Sequence, residues 1–103
     1  MLRRALREAW KSPHPSFKHA TLVYKGGALI AWGYNHDDRH SEEVALGKLW
    51  PGYARGATVF NIRIKPNGRI GMAKPCPVCL KILLDNRIKR CYYTNAEGKL
   101  EEL

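Results

Sequence analysis

Hydrophobic and polar positions recur in two different periods along this chain, and the changes of period mark its elements. Leu2, Leu6 and Trp10 fall at helical spacing while Arg3, Arg4, Arg7 and Lys11 take the other side, which predicts a surface helix laid on an apolar support. Ser12-Pro13-His14-Pro15 ends it. Leu22, Val23 and Tyr24 predict a first strand over Ala20 to Tyr24, and Leu29 to Gly33 a second. Gly26-Gly27 between them predicts a hairpin, because both positions can take positive φ without steric cost. The first two strands are therefore antiparallel neighbours.

The polar run from Gly33 to Arg39 delivers the chain to His40. Beyond it Ala45, Leu46 and Leu49 define one face of a helix, and counting back three or four residues puts Glu42 on that inward face. Pro51-Gly52 stops this helix. Val59 to Ile64 alternates as a third strand, followed by the turn Pro66-Asn67-Gly68 and a short return through Ile70 and Met72. Pro77 suits the first turn of a third helix, with Leu80, Ile82, Leu83 and Leu84 as its buried side and Asp85-Asn86 as its end. Cys91 to Thr94 reads as a fourth strand, Ala96-Glu97-Gly98 as a turn, and Lys99 to Leu103 as at most a short fifth strand. The order of elements predicts one α/β domain over residues 1–103, a sandwich on a mixed sheet.

Charge changes this picture most. Eighteen Lys and Arg against nine Asp and Glu give a net charge of +9 on 103 residues, which attracts polyanions before any contact forms. Three cysteines are an odd number and two of them are spaced C-x-x-C, which argues against a secreted disulfide framework and for a reducing, cytoplasmic setting; a secreted toxin domain is the alternative. No apolar run approaches the roughly 20 residues of a membrane span, so no membrane partner is expected. The basic first helix, with Glu8 in it, is read as native, an Arg-rich organellar presequence being the competing reading.

The candidate chemistry lies in two pieces, His40-Ser41-Glu42 and Pro75-Cys76-Pro77-Val78-Cys79. One imidazole and two thiolates are zinc ligands by type, and structural sites close at four. His14, His19, His36 and Cys91 are the candidates for a fourth ligand. With none of them, three ligands and an open position make a catalytic site, in which Glu42 is placed to handle the proton of a water. Cys76 and Cys79 at a helix N-terminus are expected to favour thiolate. A thioredoxin-like dithiol would explain the cysteines without His40 and Glu42, and a structural zinc knuckle would leave Glu42 unexplained.

H-x-E followed by P-C-x-x-C is the signature of the zinc-dependent nucleobase deaminases, and nearly the whole chain resembles a compact member of the cytidine deaminase-like superfamily. The resemblance implies a three-layer sandwich, a mixed sheet of 4–5 strands with helices on both faces. It also implies one zinc ion on His40, Cys76 and Cys79, with Glu42 as the catalytic proton shuttle that serves water, ring nitrogen and departing ammonia. Asn35 resembles the residue that holds the sugar in many members. Ser41 stands where Ala is usual, a change expected to leave the chemistry alone and to bear on how the backbone meets the base. Ala73-Lys74-Pro75 replaces the Ser-Trp-Ser or Ser-Ser run of one polynucleotide-deaminase subgroup, with Pro75 itself a substrate-contact candidate.

Four substrate pools follow: cytosine in polynucleotide, adenosine in tRNA, free cytidine or its nucleotide, and another small aminated base. A His in the first motif disfavours the free-cytidine enzymes with an all-Cys set, and the +9 charge favours a phosphate-tracking surface. The resemblance puts the loops before the first strand, after the second and after the fourth around the pocket. These loops carry Lys18, Arg39, Lys99, His14 and His36 as an electrostatic collar, and Phe17, Tyr34, Tyr92 and Tyr93 as stacking candidates. The expectation is a zinc deaminase acting on cytosine in single-stranded nucleic acid, DNA before RNA. The alternatives are a free cytidine or deoxycytidylate deaminase, then a tRNA adenosine deaminase, and outside enzymology a zinc-stabilised nucleic-acid-binding module. Self-association through an open sheet edge leaves monomer and weak homo-oligomer both open.

Overall fold

Residues 2–103 are described by the computed structural model. Helix α1 (Leu2–Ala9) precedes strands β1 (Lys18–Lys25) and β2 (Ala28–Tyr34); then come α2 (Ser41–Leu46), β3 (Thr58–Ile64), β4 (Ile70–Gly71), α3 (Pro77–Asp85), β5 (Arg90–Thr94) and β6 (Leu100–Glu102). The sheet runs β2-β1-β3-β5-β6, with β4 added to β3. Only the β3/β5 pair is parallel; β1/β2, β1/β3, β3/β4 and β5/β6 are antiparallel. The expected three layers are present: α1 covers one face of the sheet, α2 and α3 the other.

The hairpin forms as its residues require. Gly26 and Gly27 have φ of 58° and 81° between the paired Lys25 and Ala28, two consecutive left-handed positions of the kind that match strand twist. β2 and β3 each run antiparallel to β1, so they point the same way, and β5 points with them. The helices that follow β2 and precede β5 consequently both begin at one end of the sheet, and this is how segments 36 positions apart in sequence meet.

The helices bury smaller side chains than their periodicity predicts. In α1 the inward residues are Ala5 and Ala9, packed on Ala20, Leu22, Ile62 and Ile64, with Leu6 partly buried; Leu2 is exposed and Trp10 is 57% exposed. Methyl groups let the helix axis approach the sheet, and the larger residues cover its flank. In α3 only Cys79 and Leu83 are buried, and Leu84 is 76% exposed. Helix α2 ends at Leu46, before Pro51-Gly52, with Gly47 as its cap. Gly33 explains how closely α2 sits on β2: a Cβ there would lie 2.8 Å from Val44 Cγ1 and 2.9 Å from the Ala45 nitrogen. Among the described residues no helix is long and apolar enough to cross a membrane.

Candidate active site

His40 is the residue that caps α2 and Cys76 the one that caps α3, both with extended backbone. Cys79 lies one turn inside α3 and is buried. The His40 Nδ1 atom is 3.1 Å from Cys79 Sγ and 3.6 Å from Cys76 Sγ, and the three ligating atoms all fall within 4.8 Å of one another. Tetrahedral zinc with bonds of about 2.3 Å to sulfur and about 2.0 Å to nitrogen separates its ligand atoms by roughly 3.5–3.8 Å. The donor set fits that ion in type and spacing.

Among the described residues no fourth His, Cys or carboxylate joins this group. His14 is spent on its own loop, its Nδ1 accepting from the Ser16 and Phe17 backbone N–H groups. His36 pairs with Asp37 at 3.0 Å. His19 lies in β1, and Cys91 belongs to the apolar core under α2 and α3. Burial holds the Cys91 thiol up at about 12 and Glu42 adds to the effect, so it behaves as a core residue. At Cys79 the pull of a helix N-terminus toward thiolate is opposed by the surroundings. There burial, then the Glu42 carboxylate and Cys76, push the thiol well above its ordinary range. Its thiolate calls for a cation beside it.

Glu42 is buried in a ring of hydrogen bonds. Asn61 Nδ2 donates to its Oε2 at 3.0 Å, Thr21 Oγ1 donates to Asn61 Oδ1 at 2.7 Å, Thr21 and Ser41 hydroxyls meet at 2.8 Å, and Ser41 Oγ donates to Glu42 Oε1 at 3.2 Å. With Glu42 ionised, four contacts share three hydrogens. A proton taken up on Oε1 supplies the fourth, since that oxygen then donates to Ser41 and frees the Ser41 hydrogen for Thr21. Ser41, expected to leave the chemistry alone, therefore acts directly on the carboxylate. Thr21 and Asn61 were missed by sequence reasoning, although an Asn in the middle of an apolar strand is the kind of misfit that marks a buried polar site.

A cavity of about 590 Å³ opens beside these groups, walled by Phe17, His19, Asn35, His36, Arg39, His40, Ser41, Glu42 and Cys76, with His14, Asp37, Asp38 and Lys74. Asn35 is on its wall but largely engaged: Oδ1 accepts from His19 N at 2.9 Å and Nδ2 donates to Phe17 O at 2.6 Å. One hydrogen and one lone pair of the amide remain for a ligand. The imidazole of His19 is lowered to about 4 by burial, then by Arg63, His40 and His14, so it stands neutral in the wall.

Four expected contacts lie elsewhere. Tyr34, Pro75 and Tyr93 are not on the cavity wall; Tyr93 is buried and its hydroxyl donates to Glu101 at 2.6 Å. Each strand residue points to the face its register dictates, which sequence proximity to a motif does not reveal. Lys18 is also off the wall, its ammonium tied to the Ser12 carbonyl. Lys99 is absent from the wall and Lys74 is present, while Asp37 and Asp38 make the β2–α2 side of the collar acidic.

No protein-family model matches the sequence, and no curated protein matches it. Solved structures do. RibD from Acinetobacter baumannii superposes with a TM-score of 0.73 at 20% identity over 91% of this chain and 26% of the other. The diaminohydroxyphosphoribosylaminopyrimidine deaminase/5-amino-6-(5-phosphoribosylamino)uracil reductase of Thermotoga maritima gives 0.64 at 21% identity over 90% and 28%. The dCMP deaminase of cyanophage S-TIM5, in complex with dCMP and dUMP, gives 0.63 at 20% identity over 92% and 81%. The chain spans about a quarter of the first two proteins and four-fifths of the third. Its architecture is the cytidine deaminase-like fold.

Proposed function

We propose that this chain is a zinc-dependent hydrolytic deaminase whose substrate is cytosine in single-stranded nucleic acid, DNA before RNA, which it converts to uracil within the strand with release of ammonia. The observation that carries the reaction class is the conjunction of a three-residue donor set of zinc-ligand type, a cavity open to it and a buried carboxylate held in a ring of four hydrogen bonds, two of them its own. His40, Cys76 and Cys79 would hold the ion. Zinc bound there supplies Lewis acidity that makes a water molecule a hydroxide donor at neutral pH.

The remaining steps belong to the protein. Glu42 accepts the water proton at Oε1, where Ser41 and Thr21 take up the rearranged hydrogen bonds, and Asn61 keeps Oε2 fixed meanwhile. The same carboxyl returns that proton to the ring nitrogen, then takes the second proton from the added hydroxyl and passes it to the departing amine, which leaves as ammonia. Asn35, with one hydrogen and one lone pair left, orients the sugar. Phe17 and neutral His19 offer apolar ring surface to a base, and burial in the cavity shields the exchange from bulk water.

The +9 charge supports a polynucleotide, since a free nucleoside gives no reason for it. A specific observation favours a second reading, deoxycytidylate: the dCMP deaminase of the cyanophage is matched over four-fifths of its own length, and acidic Asp37 and Asp38 on the cavity wall oppose a long polyanion on that side. The test offers purified zinc-loaded protein a single-stranded oligonucleotide, the corresponding duplex, tRNA, cytidine and dCMP, and detects uracil or inosine by mass. Uracil in the oligonucleotide is expected. Uracil from dCMP alone moves the assignment to the nucleotide, inosine moves it to tRNA, and retained zinc with no product from any of them leaves a nucleic-acid-binding module.

A further inference from the structure

We infer that Arg63, at the end of β3, is the phosphate-recognising residue of this pocket, binding the phosphate of a nucleotide substrate. This rests on the deaminase reading for the identity of the base, but the cation itself stands on separate observations. The Arg63 Nε is buried with no hydrogen-bond partner, and among the described residues its guanidinium makes neither an ion pair nor a hydrogen bond. A buried donor of this kind costs free energy unless something occupies it. Arginine, with five donors in a planar fork, matches a phosphate better than any other side chain does.

Arg63 is not itself on the cavity wall; it stands directly behind it at two points. Arg63 pairs with His19 across β1 and β3, and its Cζ lies 4.4 Å from the centroid of the Phe17 ring; both neighbours are on the cavity wall. Phe17 in turn meets His14 edge-on at 5.3 Å, so the cation backs an aromatic shelf at the mouth. Gly71, paired with Arg63 on β4, leaves room for a second basic stem, since a Cβ there would lie 2.7 Å from Lys65 Cγ. Lys18 adds charge nearby, its ammonium held by a carbonyl and by no carboxylate. Asp37 and Asp38 are also on the cavity wall, whereas no carboxylate pairs with Arg63 among the described residues.

The phosphate could be that of a mononucleotide or one in a polynucleotide backbone, and the experiment separates the two. Equilibrium binding and deamination are measured for deoxycytidine, dCMP and a short single-stranded oligodeoxycytidylate with wild-type protein, Arg63→Gln and Arg63→Lys. Loss of a charge-assisted contact is expected to weaken the phosphorylated ligand about 10–100-fold in Arg63→Gln, leave deoxycytidine unchanged, and be partly restored by Arg63→Lys. Loss on dCMP assigns the terminal phosphate. Loss on the oligonucleotide alone, with the log–log salt slope shallower by about 0.7, assigns a backbone phosphate. Equal losses for deoxycytidine and dCMP, or none, overturn the inference by making Arg63 only a support for Phe17. If no base is deaminated but dCMP or oligonucleotide binding depends on Arg63, the phosphate site stands and the deaminase reading falls; the converse result fells the site alone.

Discussion

Strands β1 and β3 carry two unlike faces on one piece of backbone. Toward α1 they present Ala20, Leu22, Phe60 and Ile62, all apolar; toward α2 they present Thr21, Val23, Val59 and Asn61, two of them polar. Thr21 and Asn61 are as deeply buried as Leu22 and Ile62. The strand residues under α1 are held by apolar packing, which tolerates small errors of position. The face under α2 spends two core positions on hydrogen bonds that converge on one carboxylate. A polar pair at that depth loses transfer free energy compared with apolar residues, so its presence marks the face on which geometry matters more than stability.

The sharpest way to separate the faces is to remove the proton-handling group and leave everything else. Glu42→Gln keeps the size and both hydrogen-bonding positions, its amide nitrogen donating to Ser41 as the protonated carboxyl would and its oxygen accepting from Asn61, so zinc content should stay at one ion and thermal stability should change little. Deamination should fall by about 10²–10⁴-fold, the range of a lost general acid–base. Turnover that survives in a zinc-loaded Glu42→Gln protein would end the role assigned to Glu42. Metal analysis and a uracil assay on the same preparation decide it.

Asn61→Ala attacks the same face one step away from the chemistry. It leaves Glu42 Oε2 without its donor and Thr21 Oγ1 with Ser41 alone, and a buried group left unsatisfied costs about 1–3 kcal/mol. Denaturant unfolding should register that loss. The rate should fall about tenfold or more while zinc stays bound, because the carboxylate is no longer fixed. A stability loss with an unchanged rate would make the ring structural only.

His19 brings a pH dependence that the α1 face lacks. Its imidazole titrates near 6.5 in an unfolded chain and near 4 in the fold, so between those values the unfolded state binds the extra proton. The His19 contribution is therefore fully retained above pH 6.5 and declines as pH falls toward 4. An effect of about 2 kcal/mol is expected. Unfolding curves of wild type and His19→Gln from pH 7 to pH 4 should diverge with acidification, the wild type losing more. Parallel curves would mean that His19 is solvated and not buried against Arg63.

What was legible in the sequence follows the same division. The candidate metal ligands His40, Cys76 and Cys79 and the carboxylate of Glu42 sit in two contiguous motifs at helix starts, and the Gly26-Gly27 turn advertises its conformation, so neighbouring residues suffice to read them. Thr21, Asn61 and Arg63 meet partners 19 to 46 positions away, and the register of β1 on β3 is what brings those together. The helix faces misled for another reason. Periodicity picks out large apolar residues such as Trp10 and Leu84, whereas close approach to a sheet selects Ala5, Ala9 and Cys79, whose small size carries little signal.

The mildest change tests the quiet face. Ile62 is 2% exposed among Ala5, Ala9, Ala20 and Leu22, and its only work is to fill space under α1. Ile62→Val removes one methylene and should cost about 0.5–1.5 kcal/mol. Because Ile62 is the chain neighbour of Asn61 but points to the opposite face, any transmission through the strand would appear as a change in rate. The expectation is a lower unfolding midpoint with kcat and KM unchanged. If this substitution slows deamination as much as Asn61→Ala does, the two faces are mechanically one, and the buried ring owes its precision to the packing behind the sheet as well as to its own hydrogen bonds.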